Sequence, residues 1–143
     1  MADQRMDIGF FRSVLEILGI VFFRFRPVQR LWGYWLVAVN SAGVFFIGRL
    51  EAQVVLAAVA VALSGQALIY QRRRFIRALG TTHALWVPML AWILLRQGTH
   101  PDGDSAFRLW IFALVATNAL SLAIDAWDLT RYLGGERSPY YAW

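Results

Sequence analysis

The stretch 106–132 constrains this chain more than any other. It is apolar for long enough to cross a bilayer, which takes about 20 residues of helix, yet Asn118, Ser121, Asp125 and Asp128 interrupt it at spacings of three, four and three. Successive helical residues turn by about 100°, so the four polar groups fall on one stripe. Lipid offers no partner to an amide or a carboxylate, and such a helix must turn its stripe toward other protein. The remaining segments then read as the helices that cover it.

Composition agrees. Of 143 residues, 59% are hydrophobic and only 16% charged, whereas a soluble domain carries about 45–50% apolar and about 25% charged residues. One integral membrane domain is expected, covering 1–143. The absence of cysteine excludes disulfides, thiol nucleophiles and thiolate metal sites. All fourteen basic residues are arginine, which reads either as guanidinium selected for bidentate phosphate contact or as codon bias. The net charge of +5 sits beside hydrophobic runs, so lipid headgroups or a partner protein are the expected counter-charges, and nucleic acid is not.

In chain order, 7–25 is amphipathic. Arg5, Gly9, Arg12, Glu16 and Gly19 form a narrow stripe and phenylalanine, leucine, isoleucine and valine cover the rest, the pattern of a helix lying in the membrane interface. Pro27 stops it. Four spans follow, at about 31–48, 51–70, 79–95 and 107–129, with Pro88 as a kink in the third. The expected fold is therefore an all-α four-transmembrane-helix bundle preceded by an interfacial helix. In the second span Ala57, Ala60, Ser64 and Ala67 share one side, while Ala58, Ala62 and Gly65 share nearly the opposite one. Small residues let backbones approach closely, so this helix is expected to be packed on both sides.

Arginines assort unevenly about the spans. Arg5, Arg12, Arg24, Arg26, Arg30, Arg72, Arg73, Arg74, Arg77, Arg131 and Arg137 fall on one side, and Arg49, Arg96 and Arg108 on the other. The positive-inside rule places both termini in the cytoplasm of a bacterial inner membrane. Arg24, Arg26, Arg30, Arg72, Arg73, Arg74 and Arg77 are candidates for binding anionic headgroups on that side.

This orientation gives each polar residue a depth. Asn40 and Asn118 meet near the midplane with Ser121, where two amides can satisfy each other. Gln66, His83 and Asp125 share a layer about one turn from the cytoplasmic surface, beside Asp128 and beneath Arg74 and Arg77. A carboxylate beside an imidazole in that setting can relay a proton, hold a headgroup or quinone carbonyl, or simply pin helix register. Glu51 reads as a charge favoured by a helix N-terminus, and His100 with Asp102 and Asp104 as a solvated loop. Trp86 and Trp92 are the tryptophans placed to line a cavity. No nucleotide-binding, zinc-protease or serine-hydrolase motif occurs, and no cofactor or metal is implied.

Three functions fit. The first is a structural or accessory membrane protein, self-associating or docked on a larger complex. The second is an oligomeric channel or transporter using Asn118, Ser121 and Asp125. The third is a lipid- or quinone-handling enzyme using His83 and Asp125, which requires a cavity open to the bilayer at their depth.

Overall fold

The computed structural model describes residues 9–73, 77–96 and 104–137. These are helical almost throughout, with no strand among them. Helix α1 (Phe10–Gly19) continues into a π-helical turn, Ile20–Arg24. Helix α2 (Pro27–Ser41) continues into a 3₁₀ turn, Ala42–Phe46. Then come α3 (Leu50–Arg73), a 3₁₀ segment Arg77–Leu85 that runs into α4 (Trp86–Arg96), and α5 (Ser105–Leu133). Three of these units, Leu50–Arg73, Arg77–Arg96 and Ser105–Leu133, are long and apolar enough to cross a membrane. The segment expected as the first span, 31–48, is helical through Phe46 but is not among these: α2 begins at Pro27 with Gln29 and Arg30 in its first turn and gives way to 3₁₀ geometry after Ser41.

Helices α2, α3, α4 and α5 pack in a ring, each against the next and α5 against α2. Only Ile47, Gly48 and Arg49 separate the turn after α2 from α3, so the two run antiparallel. Along one end the ring is filled by Val39, Ala52, Val55, Trp86, Met89, Ile93, Phe107, Trp110 and Leu114. Trp110 donates its Nε1–H to the Val39 carbonyl there (2.9 Å). Outward lie Phe45, Val61, Leu68, Leu95, Leu109, Phe112 and Trp127, all exposed, an apolar surface on all sides that suits lipid and not water.

The 3₁₀ segment has local causes. Thr81 and Thr82 turn their hydroxyls back onto the Ala78 and Leu79 carbonyls three residues earlier (2.7 and 3.0 Å), and Pro88 cannot donate to the carbonyl four residues before it. Pro88 therefore sits where the 3₁₀ turns give way to α4, and the expected mid-span kink is a change of helix type. Because 3₁₀ turns rise faster, Arg77–Arg96 reaches about 34 Å, enough for the hydrocarbon core.

Helix α1 is seated on α3, with Ser13, Ile17 and Ile20 buried against Ala67 and Tyr70. Glu16 accepts from Tyr70 Oη (2.8 Å) and from Arg12 (2.9 Å), so the polar stripe of α1 points partly inward, while Phe11, Leu15 and Phe23 stay outside. The π turn is closed by Phe25 N donating to the Ile20 carbonyl (3.0 Å), and Tyr34 Oη donates to the Phe22 carbonyl that the turn leaves over. Gly33 permits this approach, since a Cβ there would lie 2.6 Å from Val21 Cγ1.

The two small faces of α3 are packed unevenly. On one, Ala62 is buried and Gly65 meets Thr82; on the other, Ala67 is buried but Ala57 and Ala60 are exposed. At the filled end Glu51 does more than complement a helix dipole. It is 2% exposed and accepts from Arg96 Nε (2.7 Å), tying the start of α3 to the end of α4. Arg49 pairs with Asp104 (2.7 Å), which also caps α5 through Phe107 N. Glu51→Ala, which strands the partner of a buried charge, is expected to lower stability in detergent by about 3 kcal/mol. Arg12→Ala, at a pair whose arginine is 72% exposed, should cost no more than about 0.5 kcal/mol. Thermal unfolding of the two variants checks the contrast.

Candidate functional site

At the other end, the ring with α1 lines a partly open cavity of about 770 Å³. Its α1 and α2 sides are mostly apolar, with Ile17, Leu18, Val21, Phe25, Val28 and Leu36, and α2 also brings Gln29, Asn40 and Ser41 to the lining. The wall made by α3, the 3₁₀ segment and α5 carries Gln66, Arg77, His83, Ser121, Asp125 and Asp128. The polar side of this cavity is built by two helices of different pitch.

In a 3₁₀ helix residues three apart eclipse one another, so Arg77, Gly80, His83 and Trp86 form one row, and all four line the cavity. Along α5 the buried face runs Phe107, Ile111, Leu114, Asn118, Ser121 and Asp128, with Asp125 half-buried on the same stripe. Packing the two together makes two rungs. Arg77 donates to Asp128 (3.0 Å), both side chains under 10% exposed, and His83 Nδ1 meets Asp125 Oδ2 (2.8 Å). Between the rungs, a Cβ on Gly80 would overlap the Asp125 carboxylate, so glycine is what leaves room for the acid.

His83 is held on three sides. With Nδ1–H donated to Asp125, Nε2 is the acceptor for the Gln66 amide (3.0 Å), and the ring stacks on Trp86 at 4.1 Å. A hydrolase of the serine type would place a hydroxyl where Gln66 stands; here the imidazole lies between an amide and a carboxylate. The Trp86 Nε1–H is buried with no hydrogen-bond partner. An unmet donor costs about 1–3 kcal/mol, so stability alone does not account for this layer.

Closer to the middle of the ring, Asn40 and Asn118 exchange two amide hydrogen bonds (2.9 and 3.0 Å), both side chains buried. Trp35 Nε1 donates to Thr117 Oγ1 beside them (3.0 Å). Ser121 lies between this pair and Asp125, 4% exposed and on the cavity wall. The expected groupings, Gln66 with His83 and Asp125, and Asn40 with Asn118, are thus brought together. Arg24, Arg26, Arg72 and Arg73 are exposed and Arg30 half-buried, at the end of the molecule where the cavity lies. Arg77 departs from that group, for its guanidinium turns inward. Arg74 and His100 lie outside the described residues. Trp92 takes no part in the cavity and lies under the Arg96 guanidinium (5.0 Å).

After α5, Gly134 and Gly135 (φ 102°) reverse the chain and bring Glu136 onto Arg131 (2.9 Å) and within 3.5 Å of Arg77. The hydrogen bond from Arg131 holds the Glu136 carboxyl below the usual carboxylate range. Among the described residues no three histidine or acidic side chains converge as metal ligands would.

Sequence reasoning did not find Gly80 or the alignment of Trp86 with His83. The signal was present as a three-residue spacing, Arg77-x-x-Gly80-x-x-His83-x-x-Trp86, which a helical period of 3.6 does not gather. Gly80→Ala is expected to displace the Asp125 carboxylate and cost about 1–3 kcal/mol. Gly19→Ala, where nothing stands within 4 Å, should be neutral or stabilise by up to about 1 kcal/mol. Unfolding midpoints in detergent compare them. Set against known proteins, the chain matches no family model, no curated protein and no solved structure, and the functional reading stands on the geometry of this site.

Proposed function

We propose that this is a small inner-membrane protein that holds one amphipathic small molecule, lipid-like or quinone-like, between its helices. In this reading α2 with its 3₁₀ turn forms the first of four spans, α1 lies at the cytoplasmic interface, and both termini are cytoplasmic. The exposed arginines, Arg24, Arg26, Arg72 and Arg73, face anionic headgroups there. One observation carries the proposal: a cavity of about 770 Å³ lined mostly by apolar side chains, those of α1 above all, with the ordered Arg77, His83, Asp125 and Asp128 cluster among its polar groups. Small-molecule sites are typically about 300–1,000 Å³, mostly apolar, with a few placed polar groups. The size and the composition of the lining both fit.

The conducting-pore reading has less support, because the Asn118, Ser121, Asp125 and Asp128 stripe is turned into the chain's own ring and not outward toward an oligomer axis. Self-association or docking on a larger complex keeps one observation in its favour. Ala57 and Ala60 are exposed on α3, where small residues allow another helix to approach closely.

Mass spectrometry of the protein released from mild detergent is expected to find one amphipathic molecule per chain. Leu63→Trp, which fills the cavity from α3, should abolish retention while the protein remains folded. Asp125→Asn should reduce retention by more than it reduces stability. A wild-type chain that carries no small molecule but copurifies with a stoichiometric foreign subunit would sink the proposal. Equal loss of retention and stability in Asp125→Asn would make the layer architectural.

A further inference from the structure

The cavity reading leaves the chemical class of the occupant open, and the charges on its polar wall narrow it. Arg77, the cation on that wall, is engaged by Asp128 at 3.0 Å and by Glu136 at 3.5 Å. The imidazole of His83 is engaged by Asp125 at 2.8 Å. On the cavity wall one guanidinium and one imidazole are thus each taken by a carboxylate, Asp128 and Asp125, while Glu136 is half exposed, lies off the cavity lining and is shared with Arg131. A phosphate or carboxylate headgroup would add a further negative charge to this set in a low-dielectric interior, where like charges repel strongly. A cationic headgroup would have to compete with Arg77 and His83 for carboxylates already committed to them. An uncharged head meets neither cost.

A second observation says where such a head would be held. Ser121 is 4% exposed and lines the cavity one turn before Asp125. Among the described residues its hydroxyl makes no hydrogen bond, although the hydroxyls of Ser64, Thr81, Thr82 and Thr130 on neighbouring elements all bond to carbonyls of their own helices. A hydroxyl that opens onto a cavity without such a bond is free to meet an oxygen brought in from outside.

Resting on the cavity reading above, we infer that the site takes an amphiphile with an uncharged, oxygen-bearing head, a carbonyl or a hydroxyl, bound by the Ser121 hydroxyl, with its tail along α1 and α2. Two sources share this chemistry, a quinone ring and the glycerol of an uncharged acylglycerol. Charged headgroups are excluded by the paired acids, so the arginines outside bind a different set of lipids from the one held within.

The test uses the full chain in detergent and four probes of similar tail length: decylubiquinone, dioctanoylglycerol, decanoate and decyltrimethylammonium. Binding of at least one uncharged probe, tenfold or more tighter than either charged one, is expected, and the tighter of the two identifies the source. Ser121→Ala, a substitution that removes one oxygen and is expected to fold, should weaken that probe about fivefold to tenfold, the worth of one hydrogen bond. Ser121→Thr, which keeps the hydroxyl, should restore at least half of the loss on a logarithmic scale. Equal or tighter binding of decanoate or the ammonium probe overturns the inference and leaves the cavity reading intact, as does an unchanged affinity in Ser121→Ala when Leu63→Trp abolishes binding. Failure of all four probes to bind wild-type protein overturns both.

Discussion

The arrangement at one end of this molecule depends on giving a partner to each of two carboxylates on the long apolar helix α5. Asp125 and Asp128 lie three residues apart on a helix that is otherwise apolar enough to cross a membrane, and neither has a low-cost place in hydrocarbon without a partner. The partners come from one row of a 3₁₀ helix. An α-helix with the same sequence would spread Arg77, Gly80 and His83 over about 60° per three-residue step, because three residues turn it through about 300°. The tighter helix superimposes them, so one face delivers a guanidinium, a gap and an imidazole to one stripe of α5. The register of α5 against the 3₁₀ segment is fixed by those two rungs, and the cavity wall is a consequence of that register.

The opposite end is latched too, by Glu51 with Arg96 and Arg49 with Asp104, but there the space between the latches is filled by Phe107, Trp110, Trp86 and their neighbours. Both ends thus have the means to hold helices together, and only one is left hollow. An unfilled apolar wall forfeits dispersion contacts over its whole area, and residual voids in cores are normally small. The hollow beside the polar cluster is the space that the proposed occupant would fill.

Much of the fold was legible in sequence because hydropathy and helical period act locally. The spacing of Asn118, Ser121, Asp125 and Asp128 names their common face without any knowledge of what lies opposite, and depth alone pairs Asn40 with Asn118. Depth also gathers Gln66, His83 and Asp125, since residues at one level of antiparallel helices have few other neighbours. What escaped depended on departures from the α-helix or on partners distant in the chain. Gly80 and Trp86 fall into place only at a period of three. Glu51 looks like an ordinary first-turn acid until Arg96, 45 residues on, is seen to reach it. Glu16 reads as part of a solvated stripe until Tyr70 donates to it. Arg77 reads as one more basic residue of a headgroup-facing loop, and its inward turn is set by Asp128, 51 residues later.

The same polar groups that would bind an occupant also hold the helices in register, and this shapes how function can be separated from folding. Asp125 bonds His83 while resting against Gly80, and His83 in turn bonds Gln66 of α3 and stacks on Trp86. Removing any one of them loosens three elements at once, so a loss of binding there has two explanations. Ser121 and Leu63 differ, because both face the cavity and no rung of the 3₁₀ row depends on either. The wall formed by α1 has a different character. The helix packs closely along α3, with Ile17 and Ile20 on Ala67 and Tyr70 and Glu16 bonded to Tyr70, and Gly33 allows its π turn to close against α2. The cavity therefore joins a polar side that also sets helix register to an apolar face of α1. An occupant recognised by a single spare hydroxyl and a long apolar contact is what such a division of labour can select.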